Sequence, residues 1–156
     1  MKKVIIITLP RHDLVTEYLS SFSRQIIEES ERQGIPCKRL LDKEANKENF
    51  EKIAKGTQCK LIVFNGHGTA KTICGYEDKS IIEEGVNEDV LSERITYARF
   101  CESAFSLGIK AMQNNKEGCF IGYNLPFQFY CDLTWQGNPA KDPVAPLFLE
   151  PSNFLS

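Results

Sequence analysis

Two hydrophobic patterns alternate along the chain. Lys3 to Leu9, Lys60 to Phe64 and Ile95 to Phe100 are short, largely apolar runs. Such runs predict strands covered on both faces, because a half-exposed strand alternates apolar with polar residues. From His12 to Gln33 the apolar residues Val15, Tyr18, Leu19, Phe22 and Ile26 recur at helical spacing, and Gly34 supplies the left-handed residue that ends such a helix. Ile35 to Leu41 predicts a second strand, which Pro36 places at an edge or at a strand start. Asn46 caps a short helix carrying Phe50, Ile53 and Ala54, and Gly56 closes it. Thr72-Ile73-Cys74 and Ser80-Ile81-Ile82 flank the polar Tyr76-Glu77-Asp78-Lys79, as in a surface hairpin. Glu88 to Arg94 predicts one or two helical turns. Ala104, Leu107, Gly108, Ala111 and Met112 share one helix face, and Cys119 to Tyr123 predicts a fifth strand. From Gly137 onward, Pro139, Pro143, Pro146 and Pro151 predict an irregular tail packed on the surface.

Strands that alternate with helices imply right-handed crossovers. The expected fold is α/β, a three-layer αβα sandwich with a mostly parallel sheet. The 156 residues suit one domain over 1–156, and 42% apolar with 26% charged residues is ordinary for a globular chain. A formal net charge of −2 gives no reason to expect nucleic acid or a membrane as partner. No apolar stretch approaches the roughly 18 residues of a membrane-spanning helix. Lys2-Lys3 before Val4 to Leu9 imitates a signal peptide, but Pro10-Arg11-His12-Asp13 is no cleavage site of small residues. The six cysteines (Cys37, Cys59, Cys74, Cys101, Cys119 and Cys131) contain no C-x-x-C pair. Reduced thiols in a cytoplasmic protein are the expectation. Two histidines among scattered cysteines make no zinc pattern, so neither metal nor cofactor is expected.

The candidate chemistry stands at two strand ends. His67 follows the third strand in Asn65-Gly66-His67-Gly68. Cys101 follows the fourth in Ala98-Arg99-Phe100-Cys101-Glu102-Ser103-Ala104. Such ends line the crevice where open parallel sheets bind ligands. A thiol and an imidazole meeting there make a nucleophile and its base. A thiol with the ordinary pKa of about 8.5 is only a few per cent thiolate at neutral pH. A neighbouring imidazole raises that fraction, and a helix beginning directly after Cys101 would add its N-terminal field. The backbone N–H groups of Gly68 and Cys101 are candidate oxyanion donors. Arg99 and Asn65 are candidate substrate contacts. Each has a plainer reading: Asn65 as a turn former and Arg99 as a buried ion-pair partner. His12, beside Asp13, reads as a solvated first-turn residue of the first helix.

With Leu107-Gly108 and Gly118-Cys119-Phe120-Ile121-Gly122-Tyr123, these motifs resemble the caspase-like (clan CD) cysteine peptidases, in the branch of gingipains, clostripain and CHAT domains. There a histidine-glycine pair ends one strand, a cysteine followed by a small residue ends the next, and a glycine-bearing strand with an aromatic follows. The resemblance covers roughly residues 60 to 125. It implies a caspase-like sheet of flavodoxin-like order, a Cys101–His67 dyad, endopeptidase action on a protein or peptide substrate, and no cofactor. In clostripain-like and metacaspase-like relatives the residue two before the cysteine is often acidic and selects basic P1 side chains. Here it is Arg99. Strand period puts it on the face of Cys101, so an acidic P1 side chain is expected. The family carries more chain after the fifth strand, so the expected domain lacks part of the usual C-terminal region and has room for a completing or activating protein partner. The alternative reading is a caspase-like regulatory or binding module without turnover. A flavodoxin-like nucleotide module is more remote, since Thr8-Leu9-Pro10-Arg11-His12 has no glycine turn. A phosphatase loop would need arginine where Leu107 stands.

Overall fold

Uninterrupted β-branched and aliphatic residues form the middle of a five-stranded sheet. The computed structural model describes residues 3–113 and 117–154; Lys2 lies outside them. In chain order the elements are β1 (Lys3–Leu9), α1 (Leu14–Phe22), α2 (Arg24–Arg32), β2 (Cys37–Leu41), α3 (Lys47–Gly56) and β3 (Gln58–Asn65). A small antiparallel sheet follows, of β4 (Gly68–Thr69), β5 (Thr72–Cys74) and β6 (Ser80–Glu83). Then come β7 (Ile95–Arg99), α4 (Leu107–Met112), β8 (Cys119–Ile121) and α5 (Pro146–Asn153). The main sheet has the order β2-β1-β3-β7-β8, and every neighbouring pair in it is parallel. The chain is thus an α/β three-layer αβα sandwich. Among the described residues no helix is long and apolar enough to cross a membrane.

The pleat divides the core. Val4, Ile6, Ile62, Phe64 and Ala98 face a cluster with Phe50 and Ala54 of α3, Leu107 and Ala111 of α4, and Ile73, Ile81 and Ile82 of the small sheet. Ile7, Leu9, Val63 and Tyr97 face Ile26 and Ile27 of α2. Alternate residues of each strand therefore serve opposite helix layers, as a doubly covered sheet requires.

Three expectations are corrected. The helical pattern from residue 12 to 33 is two helices that meet at Ser23, whose hydroxyl donates to the Leu19 carbonyl at 2.7 Å alongside its own N–H. The helix after Cys101 starts only at Leu107, and residues 101–106 form turns. The proline-rich tail contains α5. Pro146 occupies its first turn, where a missing N–H costs nothing, and Pro151 falls late in it. Ala145 and Leu149 then bury against Tyr18, Leu19 and Phe22 of α1.

Asp142 anchors this tail. It is almost fully buried and accepts from the Tyr18 hydroxyl at 2.7 Å and from the N–H groups of Asp132, Val144 and Ala145. Burial pushes its carboxyl up, but these four donors outweigh it and hold the group below the ordinary carboxylate range. A depressed folded value means stability that is full above the unfolded pKa of about 4 and is lost as pH falls through the folded value. Urea midpoints from pH 6 down to pH 3 should therefore fall more steeply for wild type than for Asp142→Asn, which is weaker at neutral pH but has no such proton to take up. Parallel pH slopes would contradict this assignment.

Candidate active site

The direction of strand connection reverses between β1 and β3, since β2 lies beyond β1 on one side and β7 beyond β3 on the other. A crevice outside the carboxyl ends of the strands is expected at this switch point. His12 and Asp13 follow β1, His67 follows β3 and Cys101 follows β7, so all four collect at one end of the sheet. Asn65 and Arg99 are paired across β3 and β7. His67 and Cys101 each leave the sheet two residues beyond that pair, from strands spaced about 4.8 Å apart.

The His67 side chain is held by a residue that the sequence reading passed over. Asp13 is the N-cap of α1: one of its oxygens accepts from Thr16 N–H and the Thr16 hydroxyl, both at 2.8 Å. The other oxygen lies 2.5 Å from His67 Nε2. A carboxylate there fixes the proton on Nε2 and leaves the lone pair on Nδ1, which bonds to no described residue. The pair is about a third exposed on each side. Burial raises the Asp13 carboxyl, but the bonds from Thr16 and His67 outweigh it and hold the group below its ordinary value. An aspartate–histidine pair of this kind follows the logic of catalytic triads, in which the carboxylate sets tautomer and ring orientation. Asp13→Asn keeps the cap, since asparagine caps as well as aspartate. It should nonetheless slow alkylation of Cys101 near neutral pH by roughly tenfold or more and move its pH profile. An unchanged profile would make Asp13 a cap alone.

Two glycines shape the loop around His67. Gly66 has φ +149°, and a Cβ on it would come within 2.9 Å of the Cys74 carbonyl oxygen. Gly68 is pressed against Phe100, whose ring would lie 2.4 Å from an added Cβ. The His67 loop therefore sits directly on the residue that precedes Cys101. Cys74 N–H donates to His67 O at 3.0 Å, and Gly68 pairs with Ile73. The alternation of an antiparallel ladder then makes Gly68 a non-hydrogen-bonded position, with its N–H turned away from β5. The Cys101 N–H is likewise without a backbone partner among the described residues.

The Cys101 turn is fastened by its neighbours. Ser103, fully buried, donates to Ala98 O and accepts from Tyr123 N–H. Glu102 takes a left-handed conformation, φ +53°, and its N–H donates to Leu125 O. Cys101 Sγ lies 3.9 Å from the Phe127 carbonyl oxygen. The expected helix field at Cys101 is corrected: the five residues between Cys101 and Leu107 put the thiol beyond the first helical turn, where the effect ends.

The substrate-contact expectations for Arg99 and Asn65 are also corrected. Arg99 is fully buried, and α1 and α5 cover its face of the sheet. Its five N–H donors go to Asn65 Oδ1, Ser152 Oγ, Asn153 Oδ1, Leu19 O and the Ser23 hydroxyl. Asn65 is fully buried too, and its amide donates to Thr8 O and Ser23 Oγ. No donor of this network is left for a P1 carboxylate. Nor does Arg99 form an ion pair among the described residues: its plainer reading, an ion pair, is replaced by neutral acceptors. Burial pushes the guanidinium down to about 10.

His12 is not solvated. Its side chain is 11% exposed, with Nε2 3.2 Å from Asp78 Oδ1 and its ring edge-on to those of His67 and Tyr76. Donor atoms of His12, His67 and Asp78 all lie within 4.8 Å of one another. Spacing in the sequence, 55 residues between the histidines, gave no sign of this meeting.

Comparison with known families, curated proteins and solved structures finds no match to this chain.

Proposed function

We propose that this chain is a caspase-like cysteine endopeptidase domain. The observation that carries the reading is an imidazole oriented by Asp13, leaving the sheet from the strand next to the one that delivers Cys101. In the reaction, His67 Nδ1 takes the thiol proton and the Cys101 thiolate attacks the scissile carbonyl carbon. The oxyanion rests on the N–H groups of Gly68 and Cys101. The C–N bond breaks, His67 returns the proton to the leaving amine, and a thioester remains on Cys101. Water, deprotonated by His67, then attacks the thioester and releases the acid. No cofactor takes part in this scheme. All six cysteines are unpaired, which suits a reducing compartment such as the cytoplasm. The substrate is a protein or peptide; an acidic P1 preference is not proposed, because Arg99 is fully engaged.

One observation favours the regulatory-module reading. The chain after β8 lies across the Cys101 turn through Tyr123 O, Leu125 O and Phe127 O, so turnover would wait on a partner that shifts it. A panel of peptidyl electrophiles with varied P1 side chains separates the two. Capture of one equivalent on Cys101, found by peptide mapping and absent in His67→Ala, supports the peptidase. No capture with any P1 side chain favours the module.

A further inference from the structure

We propose that His12, His67 and Asp78 form a binding site for a zinc-class divalent cation, and that the ion takes His67 away from Cys101. The second half rests on the peptidase reading; the first half does not.

Two imidazoles and one carboxylate are a donor set that suits zinc and leaves a coordination position open. In a tetrahedral site with metal–ligand bonds of about 2.05 Å, neighbouring donor atoms stand about 3.3 Å apart. His12 Nε2 and Asp78 Oδ1 stand 3.2 Å apart, and all three donors lie within 4.8 Å. With every pair inside 4.8 Å, contraction to that spacing is at most about 1.5 Å, and the Asp78 side chain is 60% accessible.

The surroundings fit as well. Asp13 on His67 Nε2 is the outer carboxylate of a carboxylate–histidine–metal arrangement, which orients the ring and raises its basicity. Since Nε2 is so committed, Nδ1 remains for the ion, and this is the atom the peptidase mechanism gives to the thiol. His12 is held in the cluster by its Nε2, which faces Asp78, and by edge-on ring contacts with His67 and Tyr76. The cluster also occupies the β1/β3 switch point, where ligands of parallel sheets gather.

The test uses the full chain, Zn²⁺ in competition with a chromophoric chelator, and Co²⁺ as spectroscopic probe near pH 7.5. The expected result is one zinc per chain, with affinity at least tenfold weaker in both His12→Gln and Asp78→Asn and with thermal midpoints near wild type. The Co²⁺ adduct should show no thiolate charge-transfer band. Affinity unchanged in both variants, or a thiolate band, would overturn the site. Zinc should slow iodoacetamide labelling of Cys101 in wild type and not in His12→Gln. Zinc binding lost in the variants, without any effect of zinc on labelling in wild type, would keep the site and overturn its coupling to the thiol.

Discussion

Arg99→Ala should lower folding stability by about 3 kcal/mol or more, from a buried cavity and from neutral acceptors left without donors. The guanidinium sits where β7 ends and binds β3 through Asn65, the end of α1 through Leu19 O and Ser23, and α5 through Ser152 and Asn153. Alanine leaves a cavity and strands these acceptors without donors, each costing about 1–3 kcal/mol if water does not reach it. Arg99→Lys should recover only part of the loss, because three donors at one point cannot serve acceptors spread around a planar fork. Urea denaturation measures both. Ser152 and Asn153 of α5 lose their guanidinium bonds, so limited proteolysis near residues 146–153 should quicken in the alanine variant. A loss under about 1 kcal/mol would contradict the view that Arg99 fastens α5 to the sheet.

The second large effect concerns turnover. With a peptide found by the electrophile panel, His67→Ala should lower kcat by about a thousandfold or more, and Cys101→Ala should abolish covalent capture altogether. The double variant should be no worse than Cys101→Ala, because nucleophile and base act as one unit. KM should change far less than kcat, since neither group is needed to hold the peptide. Activity surviving in Cys101→Ala would remove the thiol from the mechanism.

The sequence and the structure agree where a residue's role is local. The apolar runs at β1, β3 and β7 needed only burial on both faces to be strands, and Asn46 caps α3 through its own side chain. The placement of His67 and Cys101 just beyond strand ends was legible because each lies in a short motif closing an apolar run. What was not legible depends on distant chain. Asp13 looks like any helix cap, and its second oxygen meets His67 only after the sheet brings β1 beside β3. Arg99 lies on the face of the sheet that faces a crevice in the sequence reading, yet α5 covers that face, and four prolines in the tail concealed α5. His12 and Asp78 are 66 residues apart and meet through the left-handed turn at Glu77 and Asp78.

In the proposed mechanism His67, oriented by Asp13, activates Cys101. This activation is tested most directly by the rate of fluorescent iodoacetamide labelling at pH 6, where an ordinary thiol is almost wholly protonated. Fast labelling of one cysteine is expected in wild type, mapped to Cys101 and lost in both Cys101→Ala and His67→Ala. Slow labelling spread over several cysteines, unchanged in His67→Ala, would contradict it.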